Sequence, residues 1–174
     1  MKITLFGLAG TGTSSTGKAV ADKLGLEFLS TGNMFRAQAK ELGLTINELD
    51  KLSLTDPVYD KMLDQKIADY GKNNDNFIIE SRMAWFFVPD SIKIKLTCDF
   101  DTRLARVASR DNVSLDDARH LTLEREDAIF DRYNRYYGVA DCQKDDNFDV
   151  VIDNTNLAFP EVVSQVIDFV SKQG

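Results

Sequence analysis

The chain of 174 residues contains only two cysteines, one histidine, one tryptophan and three prolines. Each scarcity closes a class of function. Cys98 and Cys142 form neither a metal-ligand spacing nor a framework of bridges, and Cys98, ending an apolar run, reads as a small core residue. The lone His120 excludes multi-histidine metal sites and histidine-based triads, and beside Arg119 it reads as a surface residue. No apolar run approaches the ~20 residues that span a bilayer, and Met1-Lys2-Ile3 enters an apolar segment without a signal-peptide pattern. The expectation is a reduced, cytoplasmic protein without a membrane partner. Positive charge is also short, with 21 Lys and Arg against 28 Asp and Glu, which argues against non-specific nucleic-acid binding. With 43% hydrophobic residues and no repeat, low-complexity segment or linker, one domain with a sizeable core is expected.

What the chain does have is a glycine-rich stretch, Gly7-Leu8-Ala9-Gly10-Thr11-Gly12-Thr13-Ser14, directly after the apolar run Ile3-Thr4-Leu5-Phe6. An amphipathic run from about Ser14 to Leu24 follows. Strand, glycine-rich loop and helix is the setting of a P-loop, where backbone N–H groups and a helix N-terminus converge on phosphate. Gly7, Gly10, Thr11, Gly12, Thr13, Ser14 and Ser15 are the candidate phosphate-binding residues, and Ser14 has the hydroxyl for a phosphate-bound Mg²⁺. Thr13 stands where the usual motif has lysine. A shifted frame ending in Gly17-Lys18 restores the lysine, but it starts six residues beyond the strand and puts Ala19 at the hydroxyl position. The first frame is kept, and it leaves the role of Lys18 open.

Strands are expected at about 2–6, 26–29, 77–80, 92–97 and 148–152, separated by helices, which gives a five-stranded parallel α/β sheet. Ser30-Thr31-Gly32-Asn33 supplies turn and cap residues before a helix through Glu41. Thr45 and Glu48 have capping-box spacing, and Asp56-Pro57 opens a further helix, with Pro57 at its first position. Gly71 to Asn76 reads as a polar turn, and Trp85-Phe86-Phe87-Val88 as an apolar loop over a site or a subunit contact. Asp101 or Thr102 caps a helix through Ser109, Ser114 and Asp117 form a second box, and a last helix runs from Phe159-Pro160 to Val170.

Ligands of such sheets bind beyond the carboxyl ends of the strands. The P-loop, Ser30-Thr31-Gly32, Glu80-Ser81-Arg82 and the segment after Cys98 all begin there. Phosphoryl transfer asks mainly for positioning and charge compensation, which arginine forks provide. Arg36 and Arg82 follow strand ends, and Arg106, Arg110, Arg125 and Arg132 repeat at helical spacing on two adjoining helices. Glu80, at a strand end, has the chemistry to hold Mg²⁺ through water.

In order, these segments resemble the cytidylate kinases, in their short branch. The resemblance rests on the P-loop, Ser30-Thr31-Gly32 with Phe35-Arg36, Glu80-Ser81-Arg82 with Phe87-Val88-Pro89-Asp90, Lys95-Leu96-Thr97, and the arginine-bearing stretches 103–110 and 125–138. It covers nearly the whole chain. It implies a P-loop NTPase fold with core segments 1–29, 71–100 and 141–174, an acceptor-binding segment 30–70 and a lid 101–140. It implies Mg²⁺-dependent transfer from ATP to CMP or dCMP, with small nucleotides as partners. By position, Ser30, Gly32, Arg36 and Arg82 would hold the acceptor, Arg125 and Arg132 would bridge the two phosphates with Arg82 at the reacting centre, and Arg110 would contact the donor. Departures are Thr13, Ser81 in place of a glycine, Met83 where longer members read the base, and Ile129 where they contact the sugar. Other readings are a P-loop kinase of AMP or another small acceptor, and a catalytically silent nucleotide-binding protein.

Overall fold

The computed structural model describes residues 1–173. The chain runs β1 (Lys2–Phe6), α1 (Thr13–Leu24), β2 (Glu27–Ser30), α2 (Thr31–Glu41), α3 (Ile46–Thr55), α4 (Val58–Asn73), β3 (Phe77–Glu80), α5 (Ala84–Phe87), β4 (Ile92–Thr97), α6 (Phe100–Asp111), α7 (Leu115–Tyr137), β5 (Val150–Asp153) and α8 (Phe159–Val170). The strands form one sheet in the order β2-β3-β1-β4-β5, with every neighbouring pair parallel. β1 is central because Ile3 to Phe6 is buried on both faces and shows no polar alternation. Alternate side chains enter different layers. Ile3, Leu5 and Ile78 pack with Val20 of α1 and with Val162, Val163, Val166 and Val170 of α8, each worth roughly 1.5–3 kcal/mol when buried. Phe77 and Ile79 face Ile67 of α4 and Ala84 of α5. Phe35, Ala39, Leu49 and Leu63 make a separate small core joining α2, α3 and α4.

The sheet and most element positions match the sequence expectation, and the capping box at Thr45 and Glu48 is formed in both directions. Several local expectations are corrected. Residues 71–73 continue α4 instead of turning, and a Cβ on Gly71 would lie 2.7 Å from a Val88 methyl, so glycine here allows close packing. Pro57 precedes α4 as its cap, not as its first residue. Trp85-Phe86-Phe87 forms the one-turn α5, not a loop. The cap of α6 is Asp99, whose carboxylate accepts from the Thr102 N–H, rather than Asp101 or Thr102. Ser114 caps α7, but its hydroxyl donates to Asp117 in place of the reciprocal backbone bond. Cys98 is half-buried beyond β4, and Cys142 is the cysteine in the core. His120 is exposed and pairs with Glu124. Among the described residues, no helix is long and apolar enough to cross a membrane.

Candidate active site

Parallel strands bring Phe6, Ser30, Glu80 and Thr97 to the same sheet edge, where the loops after them meet. The loop after β1 is built for close approach. A Cβ on Gly7 would come within 2.4 Å of Thr11 Oγ1 and Thr13 Cγ2, and Gly10 has a φ of +84° with the Arg103 carbonyl 2.4 Å from where its Cβ would be. Helices α2, α3, α6 and α7 each begin with a side-chain cap, whereas α1 has none and no acid in its first turn. Its N-terminal N–H groups are therefore presented to the loop, an arrangement that favours an anion.

Thr13 and Ser14 turn their hydroxyls to Glu80. Thr13 Oγ1 donates to Oε1 at 2.9 Å, Ser14 Oγ to Oε2 at 3.0 Å and Ser30 Oγ to Oε2 at 2.5 Å. One carboxylate thus gathers hydroxyls from the P-loop helix and from β2. This is a hard oxygen set that fits Mg²⁺, which is ordinarily held by one or two carboxylates together with substrate phosphates. Among the described residues no group of three or more His, Cys, Asp or Glu comes together in a ligating cluster, so Glu80 is the anionic element of that set. Ser15 and Lys18 are exposed on α1.

Beside this edge is a cavity of about 90 Å³ lined by Gly32, Phe35, Asp50, Asp64, Ser81, Arg82, Ile129 and Tyr133 together with Arg125 and Arg132. Three arginines from two distant segments therefore share one hollow. Arg125 Nε lies 3.0 Å from Asp50 Oδ2, and Arg132 Nη1 donates to the Asp50 carbonyl at 3.5 Å. Burial lowers the pKa of the Arg125 guanidinium; Asp50 opposes the shift, and Arg82, Arg110 and Arg132 add to it by repulsion. The buried Nε of Arg82 has no hydrogen-bond partner among the described residues. Behind Arg82, burial raises the pKa of the Tyr133 hydroxyl, and burial pushes the Cys142 thiol up to about 11. Tyr137 donates to Asp64 Oδ2 at 2.5 Å, orienting that carboxylate.

Arg125 and Arg132, seven residues apart on α7, both line the hollow, whereas Arg106 and Arg110, four apart on α6, do not line it, although Arg110 lies close enough to Arg125 to repel it. Arg106 reaches the Gly10 carbonyl, and Arg110 lies at the surface in a two-bond pair with Asp111. The hydrogen bonds that Arg110 donates to Asp111 raise the pKa of Arg110 and lower that of Asp111. Arg36 is exposed, donates to Asn33, and its terminal nitrogens come within 3.7 Å of where a Cβ on Gly32 would sit. Met83 is fully buried with Phe6 and Cys142, while Ile129 lines the cavity. The Ser81 hydroxyl accepts from the Met83 N–H, so the extra side chain is turned to its own backbone. Sequence reasoning missed Asp50, Asp64 and Asn154. They carry no motif, and only the fold brings them to this edge.

A P-loop, a hydroxyl-ringed carboxylate and an arginine-lined hollow on one edge of a parallel sheet are the parts of a P-loop phosphotransferase, and the chain's relatives narrow the class to the nucleoside monophosphate kinases. The model of the cytidylate kinase-like family matches residues 2–156, and the chain belongs to that family. It is 34% identical over 167 residues to the cytidylate kinase of Methanobrevibacter smithii, covering 96% of both chains. It is 38% identical over 169 residues to that of Sulfolobus acidocaldarius, covering 96% of this chain and 92% of the relative. Among solved structures, a shikimate kinase from Aquifex aeolicus superposes with a TM-score of 0.63 over 99% of this chain and 98% of that one. An uncharacterized protein from Eubacterium ventriosum does so at 0.73 over 98% of both. At 17% and 18% identity these share the fold.

Proposed function

We propose that the chain transfers the terminal phosphate of ATP to CMP or dCMP with Mg²⁺. The observation that carries this reading is the convergence of Arg82, Arg125 and Arg132 on one hollow beside the P-loop. A single nucleotide attacked by water has no need of so many forks, whereas two polyanions brought together do. In this reading the P-loop from Gly7 to Ser15 takes the donor phosphates, and Ser14 with Glu80 would hold Mg²⁺, which supplies charge neutralisation. Arg36 and Arg82 grip the acceptor phosphate, with Ser30 and Gly32 lining its approach. Arg125 and Arg132 bridge the two phosphates, and Arg110 meets the donor. Residues 30–70 form the acceptor segment and 101–140 the lid, whose closure expels water. Lys18 is exposed, so the charge that Thr13 lacks comes from the lid arginines.

Cytosine as the base is supported by the names of the relatives and by the chemistry of the hollow. Asp64 is an acceptor-only group held by Tyr137. A carboxylate accepts from the amino group of cytosine and repels the carbonyl that uracil has there.

The test is ADP release with ATP and Mg²⁺ against CMP, dCMP, UMP, AMP and GMP, with an acceptor-free control. CMP or dCMP is expected to give the highest kcat/KM. Preference for AMP, or silence on all five with ATP bound, would replace the proposal by one of the other readings. Asp64→Asn is expected to cut the CMP-over-UMP ratio about tenfold or more, the worth of a hydrogen bond to a charged group. An unchanged ratio would remove Asp64 from base selection.

A further inference from the structure

Three consecutive carbonyl oxygens of the P-loop each accept a hydrogen bond from a side chain elsewhere in the chain. Arg103 Nη1 donates to Ala9 O at 3.1 Å, Arg106 Nη1 to Gly10 O at 3.1 Å and Asn154 Nδ2 to Thr11 O at 2.6 Å. A peptide plane whose carbonyl is held from behind has its N–H held on the opposite side. The N–H groups of Gly10 and Gly12, which share planes with Ala9 O and Thr11 O, are therefore set by α6 and by the residue after β5, while the N–H of Thr11 donates to Leu8 O within the loop.

Arg103 has a second partner. The same Nη1 lies 2.8 Å from Glu126 Oε1, and Nη2 lies 3.5 Å from Oε2, with both residues buried. Glu126 directly follows Arg125, and Ile129 and Arg132 recur on the cavity side of the same helix, α7. The guanidinium is a rigid planar fork, so it serves the loop carbonyl and the carboxylate in one geometry. A buried charge cannot leave its partner cheaply, which ties Arg103 to Glu126 while the same guanidinium holds Ala9 O.

We infer that Arg103 and Glu126 are positioning residues that link the phosphate loop to α7, so that filling the loop sets the helix that carries Arg125 and Arg132. This rests on the phosphoryl-transfer reading given above. Neither residue touches the substrates; each acts through a neighbour.

The test is hydrogen–deuterium exchange of the full chain with and without ATP and Mg²⁺, before any acceptor is added. In the wild type, ATP is expected to protect residues 7–16 and also 115–137. In Glu126→Gln, which keeps the shape and loses the charge, protection of 7–16 should persist while that of 115–137 is lost. The factor by which ATP tightens CMP binding should fall from about tenfold toward one. Glu126→Asp, which keeps the charge, should restore part of both. Protection confined to 7–16 in the wild type, or full protection of 115–137 in Glu126→Gln, would overturn the inference. If Glu126→Gln does not fold, Glu126→Asp carries the comparison: protection of 115–137 equal to wild type despite the shortened link would overturn the inference. Transfer is assayed separately: an inactive wild type whose α7 still responds to ATP would sink the transfer reading and leave the link standing.

Discussion

Arg82→Ala is expected to lower phosphate transfer about 10³-fold or more, the scale set by arginines that neutralise a transferring phosphoryl group. The chain should fold as before. Arg82 lines the hollow together with Arg125 and Arg132, and its charge is one of the causes that lower the pKa of Arg125. Removing it relieves repulsion between half-buried like charges, so the melting temperature should hold or rise while activity collapses. Such opposition between stability and activity is the mark of a functional site. ADP release and thermal melting on the same preparation decide it. Turnover within tenfold of wild type would sink the role given to Arg82, and a collapsed fold would show that the residue is structural.

Glu80→Gln is the second large effect. The carboxylate collects the hydroxyls of Thr13, Ser14 and Ser30. An amide has a single acceptor oxygen and no charge, so it can neither gather three donors nor attract a cation. The Mg²⁺ concentration needed for half-maximal transfer should rise about 10–100-fold, the usual loss when an outer partner of a metal is changed. ATP affinity measured without Mg²⁺ should change little, because the loop amides are untouched. An unaltered Mg²⁺ requirement would take Glu80 out of the metal's surroundings and leave it as a local tie between β3, α1 and β2.

How far the sequence alone could be read depended on whether a feature is local. The P-loop after β1 and the box from Thr45 to Glu48 are set by spacings of a few residues, and both stand where the spacing put them. The parallel sheet was equally legible, since its buried strands alternate with helices. Pairings across the chain were not. Nothing near Asp50 announces that it will sit against Arg125, and nothing near Thr13 announces Glu80. Gly71 misled because glycine usually marks a turn, while here the demand came from Val88 on another element. The spacing of Arg125 and Arg132 did put both on the cavity side of α7, but the spacing on α6 could not tell that Arg106 would turn to the Gly10 carbonyl and Arg110 to Asp111.

The single tryptophan has a use that its packing makes available. Trp85 Nε1 donates to the carbonyl of Arg82 at 3.1 Å, and its ring lies edge-on to Phe86 and Phe148. Indole emission responds to the polarity and rigidity of what surrounds it, and here those surroundings include the backbone of the arginine given the acceptor's phosphate. If Arg82 holds the acceptor's phosphate as proposed, titrating CMP against this emission would report acceptor-side occupancy with no label and no competing indole.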